Sequence, residues 1–283
     1  MDMFGVTVPI KTEYVRAVPW AMFAMIGKDS DYFGDRGVAS ALGGSNQNRG
    51  RALVNPGDAN STIYAWWAGT SFELPVLDPF VARADAMAGG LRTGDSDSDV
   101  FGYWLAGEFG YKFGFGTLTA RGWYSSGDKD EDNRGIIPGV SDDEGFGLTR
   151  YGLAGSYNRS YDRMLSGSGF GMWGIGLQLA DVSFIDKLKH TLGVYYMSGT
   201  NRGDSAPRRS VRDVSGDGRF GNEFLMSDDR AWEVDFLNEY VVNENLRISL
   251  DFAYLQLDLG NHWVDSDDTS GSFATMLGVL YSF

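Results

Sequence analysis

One pattern constrains this chain more than any other. In segments of roughly 9–13 residues the side chains alternate between apolar and polar, the period-two signature of a strand with two unlike faces. Leu246–Asp258 is the clearest segment: Leu246, Ile248, Leu250, Phe252 and Tyr254 share one face, and Arg247, Ser249 and Asp251 share the other. Trp232–Val241 sets Trp232, Val234, Phe236 and Tyr240 against Glu233, Asp235 and Glu239. At the end of the chain Phe273, Leu277, Val279, Tyr281 and Phe283 fall on one face. Weaker copies lie upstream in Gly169–Asp181, around Leu118–Tyr124, around Tyr103–Tyr111, and in Phe80–Leu91, where the apolar face is mostly Ala. Thr62–Leu74, Lys189–Ser198, Tyr14–Ile26 and Met3–Pro9 complete a set of about eleven strands, each of the length that crosses a bilayer at a tilt.

The connections alternate in length. Ile10–Glu13, Pro75–Pro79, Phe113–Phe115, Val182–Leu188 and Val242–Asn245 are short, whereas Gly27–Ser61, Gly127–Ser168, Thr200–Asp228 and Gly260–Gly271 are long. Tight turns at one end and long polar loops at the other predict an all-β fold, a transmembrane antiparallel up-and-down β-barrel forming one domain over 1–283. A soluble β-sandwich also alternates, but its strands average about 5–6 residues and its loops have no reason to be long on one side only.

Composition removes the competing classes. The net charge of −14 leaves no basic surface for nucleic acid. No cysteine is present, so disulfide scaffolds and thiolate sites are excluded. The longest uncharged stretch, around Leu165–Ala180, is rich in Gly and Ser and is no membrane helix. With 39 glycines, 40 aromatic residues (18 Phe, 14 Tyr, 8 Trp) and a mean hydropathy of −0.23, the chain has the balance of a wall apolar on one face only.

The start, Met1-Asp-Met-Phe-Gly, has neither the basic nor the apolar region of a secretory signal. Strand parity points the same way: with a last strand running toward the periplasm, about eleven strands put the first one on the same heading. An even barrel then needs an odd number of strands before Met1, for roughly twelve or sixteen in all. Sixteen is the total expected of the complete porin. An unrecognised strand at Gly147–Asn158 is the competing expectation.

The polar faces are the expected pore lining: Arg83, Asp85, Glu108, Arg121, Gln178, Glu233, Asp235, Glu239, Arg247 and Asp251. Acids outnumber bases, which predicts a weak preference for cations. Gly127–Ser168, long and carrying Ile136-Ile137 and Leu153-Ala154, is the expected inward-folding loop. Asp213, Ser215 and Asp217, followed by Gly218, open like a calcium loop, but Phe224 stands where the closing bidentate Glu belongs. No other cofactor is expected. Asp128, Asp130 and Asp132 form a weaker version. Arg208, Arg209 and Arg212 are placed to meet lipopolysaccharide phosphates or neighbouring acids. Catalysis has thin support: His190 and His262 sit on no nucleophile motif, and no Gly-x-Ser-x-Gly elbow occurs.

Two resemblances add to this reading. Gly278, Tyr281 and terminal Phe283 resemble the signal by which the outer-membrane assembly machinery recognises its clients, with Met276 where a polar residue is usual. The ordered motifs Val6-Thr-Val-Pro9, Val18-Pro-Trp-Ala-Met22, Gly122-Trp-Tyr-Ser-Ser-Gly127, Met172-Trp-Gly-Ile-Gly176, Phe184–Leu192, Ala231–Val234 and Tyr281-Ser-Phe283 resemble the outer-membrane homotrimeric porins of sulfate-reducing bacteria. That resemblance implies a trimeric general porin in outer-membrane lipid, passing small hydrophilic solutes and ions, and it supplies no catalytic residue list. An alginate-export type of polysaccharide channel is the related alternative. It expects a basic lumen, against the acids seen here. A secreted soluble sandwich binding glycans through Trp and Tyr is the alternative from another class.

Overall fold

The computed structural model describes residues 2–26, 62–92, 99–127, 135, 137, 149, 171–200, 225–260 and 271–282. The strands are β1 (Asp2–Thr7), β2 (Ile10–Lys11), β3 (Arg16–Ile26), β4 (Ile63–Glu73), β5 (Phe80–Arg92), β6 (Val100–Phe113) and β7 (Gly116–Ser125). They continue as β8 (Met172–Ile185), β9 (Leu188–Gly199), β10 (Arg230–Asn243), β11 (Leu246–Asp258) and β12 (Ser272–Tyr281). All belong to one 12-stranded antiparallel sheet in which each strand pairs with the next, except that β2 pairs only with β3, off the main path. β1 and β12 stand at the two ends of that path. No helix among the described residues is long and apolar enough to cross a membrane, which says nothing of strands that cross.

Alternation decides which way each side chain points. Phe101, Tyr103, Leu105 and Phe109 of β6 face outward and exposed, whereas Val100 and Trp104 face inward and are buried. The outward face is a continuous apolar surface carrying two belts of rings. At the long-loop end Phe23 meets Tyr64, Trp66 meets Phe101, Tyr103 meets Tyr124, and Tyr196 meets both Trp173 and Trp232. At the short-turn end Phe80 packs on Phe109 and Tyr111, and Phe113 on Tyr111 and Phe115. Between the belts lie exposed aliphatic side chains such as Ile175, Leu177, Val194 and Leu277.

The turns are built locally. Thr12 Oγ1 accepts from the backbone N–H groups of Tyr14 and Val15, closing the β2–β3 turn. A 3-10 turn, Pro75–Leu77, joins β4 to β5. Two expected connections are corrected: within Ile10–Glu13, Ile10 and Lys11 pair with Ala17 and Arg16 as β2, and Val182–Leu188 is not a connection. β8 runs on to Ile185, because the chain takes an irregular step at Asp181, whose φ of 59° shifts the register and lets pairing with β9 continue.

Two buried apolar clusters lie on the inward face. One joins Ala24, Ile63, Ala65, Trp67, Leu91, Val100, Trp104 and Ile137. The other joins Trp123, Met172, Tyr195, Met197, Leu225, Ala231, Ala253, Leu255, Leu257 and Leu259. Ile137 and Leu225 are loop residues, so loops as well as strands fill the loop end of the interior.

Candidate pore lining

All ten residues expected to line a pore fall on the inward face, and the register shows how they relate. One rung passes through Arg16, Glu73, Arg83, Glu108, Arg121, Gly176, Tyr195, Glu233, Leu255 and Ser272, each opposite the next on the neighbouring strand. It begins at the turn end of β3 and finishes at the loop end of β12, the climb expected of strands tilted in a barrel wall.

The first five residues of that rung form a ladder of alternating charge. Glu73 carboxylate oxygens lie 3.2 Å from Arg16 Nη1 and 3.5 Å from Arg83 Nε. Glu108 accepts from Arg83 Nη1 at 2.9 Å and lies 3.1 Å from Arg121 Nε. The side chains of Arg16 and Arg83 are half exposed, so the ladder borders open space. Its lower end meets a cavity of about 250 Å³ lined by Arg16, Glu73, Arg83, Asp78 and Lys112, the last two themselves an ion pair. Asp85 points inward two residues beyond Arg83 on β5, opposite Ser71 and Ala106.

The β8–β11 part of the interior is different. Glu233, Asp235 and Asp251 are buried. Thr149, from the segment Gly127–Ser168, donates its hydroxyl to Glu233 Oε2 at 3.0 Å. From the same segment Ile137 packs into the cluster of Trp67 and Leu91, on the open backbone of Gly89, where a Cβ would stand 3.2 Å from the isoleucine. Two described residues of this segment, Ile137 and Thr149, therefore reach the interior. The ring of Tyr195 lies flat over Gly176 and Gly193: a Cβ on either would come within 2.2 or 2.6 Å of it. Gln178 Nε2 donates to the Tyr195 hydroxyl at 3.3 Å. Nearer the turn end Arg247 lies 3.8 Å from Glu239, and Lys189 pairs with Asp181 at 2.9 Å.

Loop bases are fastened by buried polar groups. Asp229 accepts from the backbone N–H groups of Met226 and Gly260, each at 2.7 Å. Ser125 Oγ accepts from Gly171 N–H, and Thr200 donates to the Ser125 carbonyl.

The interior is not uniformly polar. Near the loop end Trp67, Leu91, Trp104, Trp123 and Met197 point inward, so there both faces of the wall are apolar. Unbroken runs such as Ile63-Tyr-Ala-Trp-Trp67 signal this in the sequence. Arg16 and Glu73, at strand ends, and Thr149, in a loop, become visible only through pairing and folding. His190 turns outward, its Nδ1 2.7 Å from Asn238 Oδ1 and its ring stacked 5.8 Å from Phe236. Gly278 and Tyr281 lie on β12, but Phe283 is outside the described residues. So are Asp213, Ser215, Asp217, Asp128, Asp130, Asp132, the three loop arginines and His262. No cluster of potential metal ligands occurs among the described residues.

No protein-family model matches the chain, and no curated protein matches it. Solved structures do. OccK5 (OpdH) of Pseudomonas aeruginosa superimposes with a TM-score of 0.50 at 12% identity, over 99% of this chain and 58% of that one. OccAB3 of Acinetobacter baumannii gives 0.51 at 13%, over 99% and 55%. The chain thus spans a little over half the length of the structures it matches. Those structures are outer-membrane porins, and at this identity the likeness is one of fold: the chain has the antiparallel wall of the porin β-barrel.

Proposed function

We propose that this chain forms channel wall in an outer-membrane porin, through which small hydrophilic solutes and ions diffuse passively. One observation carries the reading: the sheet is apolar on its outward face, between two belts of aromatic rings, and carries an ion-paired charge ladder on its inward face. A water-soluble protein would arrange these faces the other way round. In a bilayer the outward face meets hydrocarbon, the rings sit at the two interfaces, and the charges border water. Thr149 and Ile137 supply the constriction, bringing a loop under the rim of the wall. Lipid and lipopolysaccharide are the partners of the outer surface.

The finer family reading, a homotrimeric porin like those of sulfate-reducing bacteria, is supported by the order of the motifs from Val6 to Phe283. Recognition by the outer-membrane assembly machinery is supported by Gly278 and Tyr281 on the last strand. Arginines paired with acids on this wall do not favour a dedicated polyanion path. Asp213, Ser215 and Asp217 remain a proposed calcium loop, which calorimetry with calcium tests directly.

The deciding experiment is conductance of the full-length protein in planar bilayers. Stepwise, ohmic openings are expected. A correctly inserted protein that conducts nothing overturns the reading. Cross-linking in membranes tests the trimer, and a lone monomer removes it.

A further inference from the structure

The ladder on β3–β7 holds three guanidinium groups, of Arg16, Arg83 and Arg121, against two carboxylates, of Glu73 and Glu108. Neighbouring strands lie about 4.8 Å apart, so successive rung positions bring their side chains into contact range. Each carboxylate sits between two arginines. Left alone, three arginines in a row on a concave wall would sum to a positive potential and draw anions. With a carboxylate at every second step the charges alternate. The five groups then sum to +1 instead of +3, so beyond a distance comparable to the spacing only about a third of the basic row's field is left to reach the middle of a pore.

We propose that Glu73 and Glu108 are selectivity-determining residues: by occupying the arginines of the ladder they suppress an anion preference that the wall would otherwise have. This rests on the channel reading and deepens it. The acids do not line the path as independent cation attractors. They mask, strand by strand, a basic row whose guanidinium groups are already aimed inward. Glu108 matters most, because it separates Arg83 from Arg121 at 2.9 and 3.1 Å. Glu239 makes a useful control. It is an inward acid on β10, 3.8 Å from one arginine, Arg247, and belongs to no ladder.

The test is the reversal potential of the full-length protein in planar bilayers under a potassium chloride gradient. E108Q and the double variant E73Q/E108Q are expected to move it toward the chloride potential, and both by more than E239Q does. The reciprocal variant R83Q is expected to move it toward the potassium potential. All these shifts should shrink as salt is raised. A shift for E108Q no larger than for E239Q overturns the proposal. So does a shift of R83Q in the same direction as E108Q. If the double variant does not insert, the single variants E73Q and R83Q carry the same comparison at partly exposed positions, and opposite shifts are required. A wild-type protein that inserts without conducting defeats the channel reading itself. Conducting variants with unchanged selectivity defeat the ladder alone.

Discussion

Glu108 on β6 and Glu233 on β10 occupy the same rung of the sheet and have the same side chain, yet their surroundings give them different work. Glu108 is bracketed by Arg83 and Arg121 on the two adjacent strands. Glu233 is fully buried, with Tyr195 and Leu255 opposite it and Thr149 donating to it from a loop distant in sequence. A carboxylate among charges beside open space acts through its field. A carboxylate sealed under a loop costs several kcal/mol to desolvate unless donors compensate it, so it acts as a fastening point for whatever brings those donors. Alternation alone assigns both residues to the lumen. Burial and partners separate them.

The comparison depends first on the two faces being assigned correctly, and adjacent residues of β8 test that with the largest effect. Leu177 points outward and is 58% exposed, while Gln178 points inward to Tyr195. Leu177→Arg should destabilise the inserted protein by about 2–4 kcal/mol, because it puts a cation against hydrocarbon near mid-span. Gln178→Arg should leave stability nearly unchanged and alter conductance instead. Urea unfolding from lipid vesicles reads both; equal losses would mean that the faces are wrongly assigned.

Next in size is Glu233→Ala. It leaves the Thr149 hydroxyl buried without its acceptor, a loss of about 1–3 kcal/mol, and it should release the loop. Limited proteolysis within 127–168 should speed up, and single-channel conductance should rise. An unchanged cleavage pattern would show that Glu233 fastens nothing.

Much of this was legible from residue order. Period two fixed the strands and put Arg83, Asp85, Glu108, Arg121, Gln178, Glu233, Asp235, Glu239, Arg247 and Asp251 on one face, because a strand has only two sides. Which of them touch was not legible. Contact depends on register, and register is set by the turns and by local irregularities such as the step at Asp181. Arg16 and Glu73 carry no such signal, because each sits at the end of its strand, where alternation is too short to read. At the apolar loop end of the interior the unbroken runs are legible, but what they pack on is not. There Trp67, Leu91 and Trp104 pack on loop residues, and Ile137, more than thirty residues beyond Trp104, carries no sign of which strands it will meet. The pair of Thr149 and Glu233, 84 residues apart, is of the same kind.

The smallest effect separates field from fastening most cleanly. In a double-mutant cycle on Arg83 and Glu108, each replaced by Ala, the coupling energy should stay below about 1 kcal/mol, since the Arg83 guanidinium is half exposed and water screens its pairing. It should fall further with salt as the Debye length drops below about 8 Å. Glu233→Ala, by contrast, should lose its stability increment at every salt concentration, because the contact is buried and salt screens buried contacts little. A coupling of several kcal/mol that ignores salt would place Glu108 with Glu233 as a structural anchor. The rung would then be one continuous fastening rather than a ladder at one end and an anchor at the other. A small, salt-sensitive coupling together with a clear change in ion selectivity is the result that only a field element in open water gives.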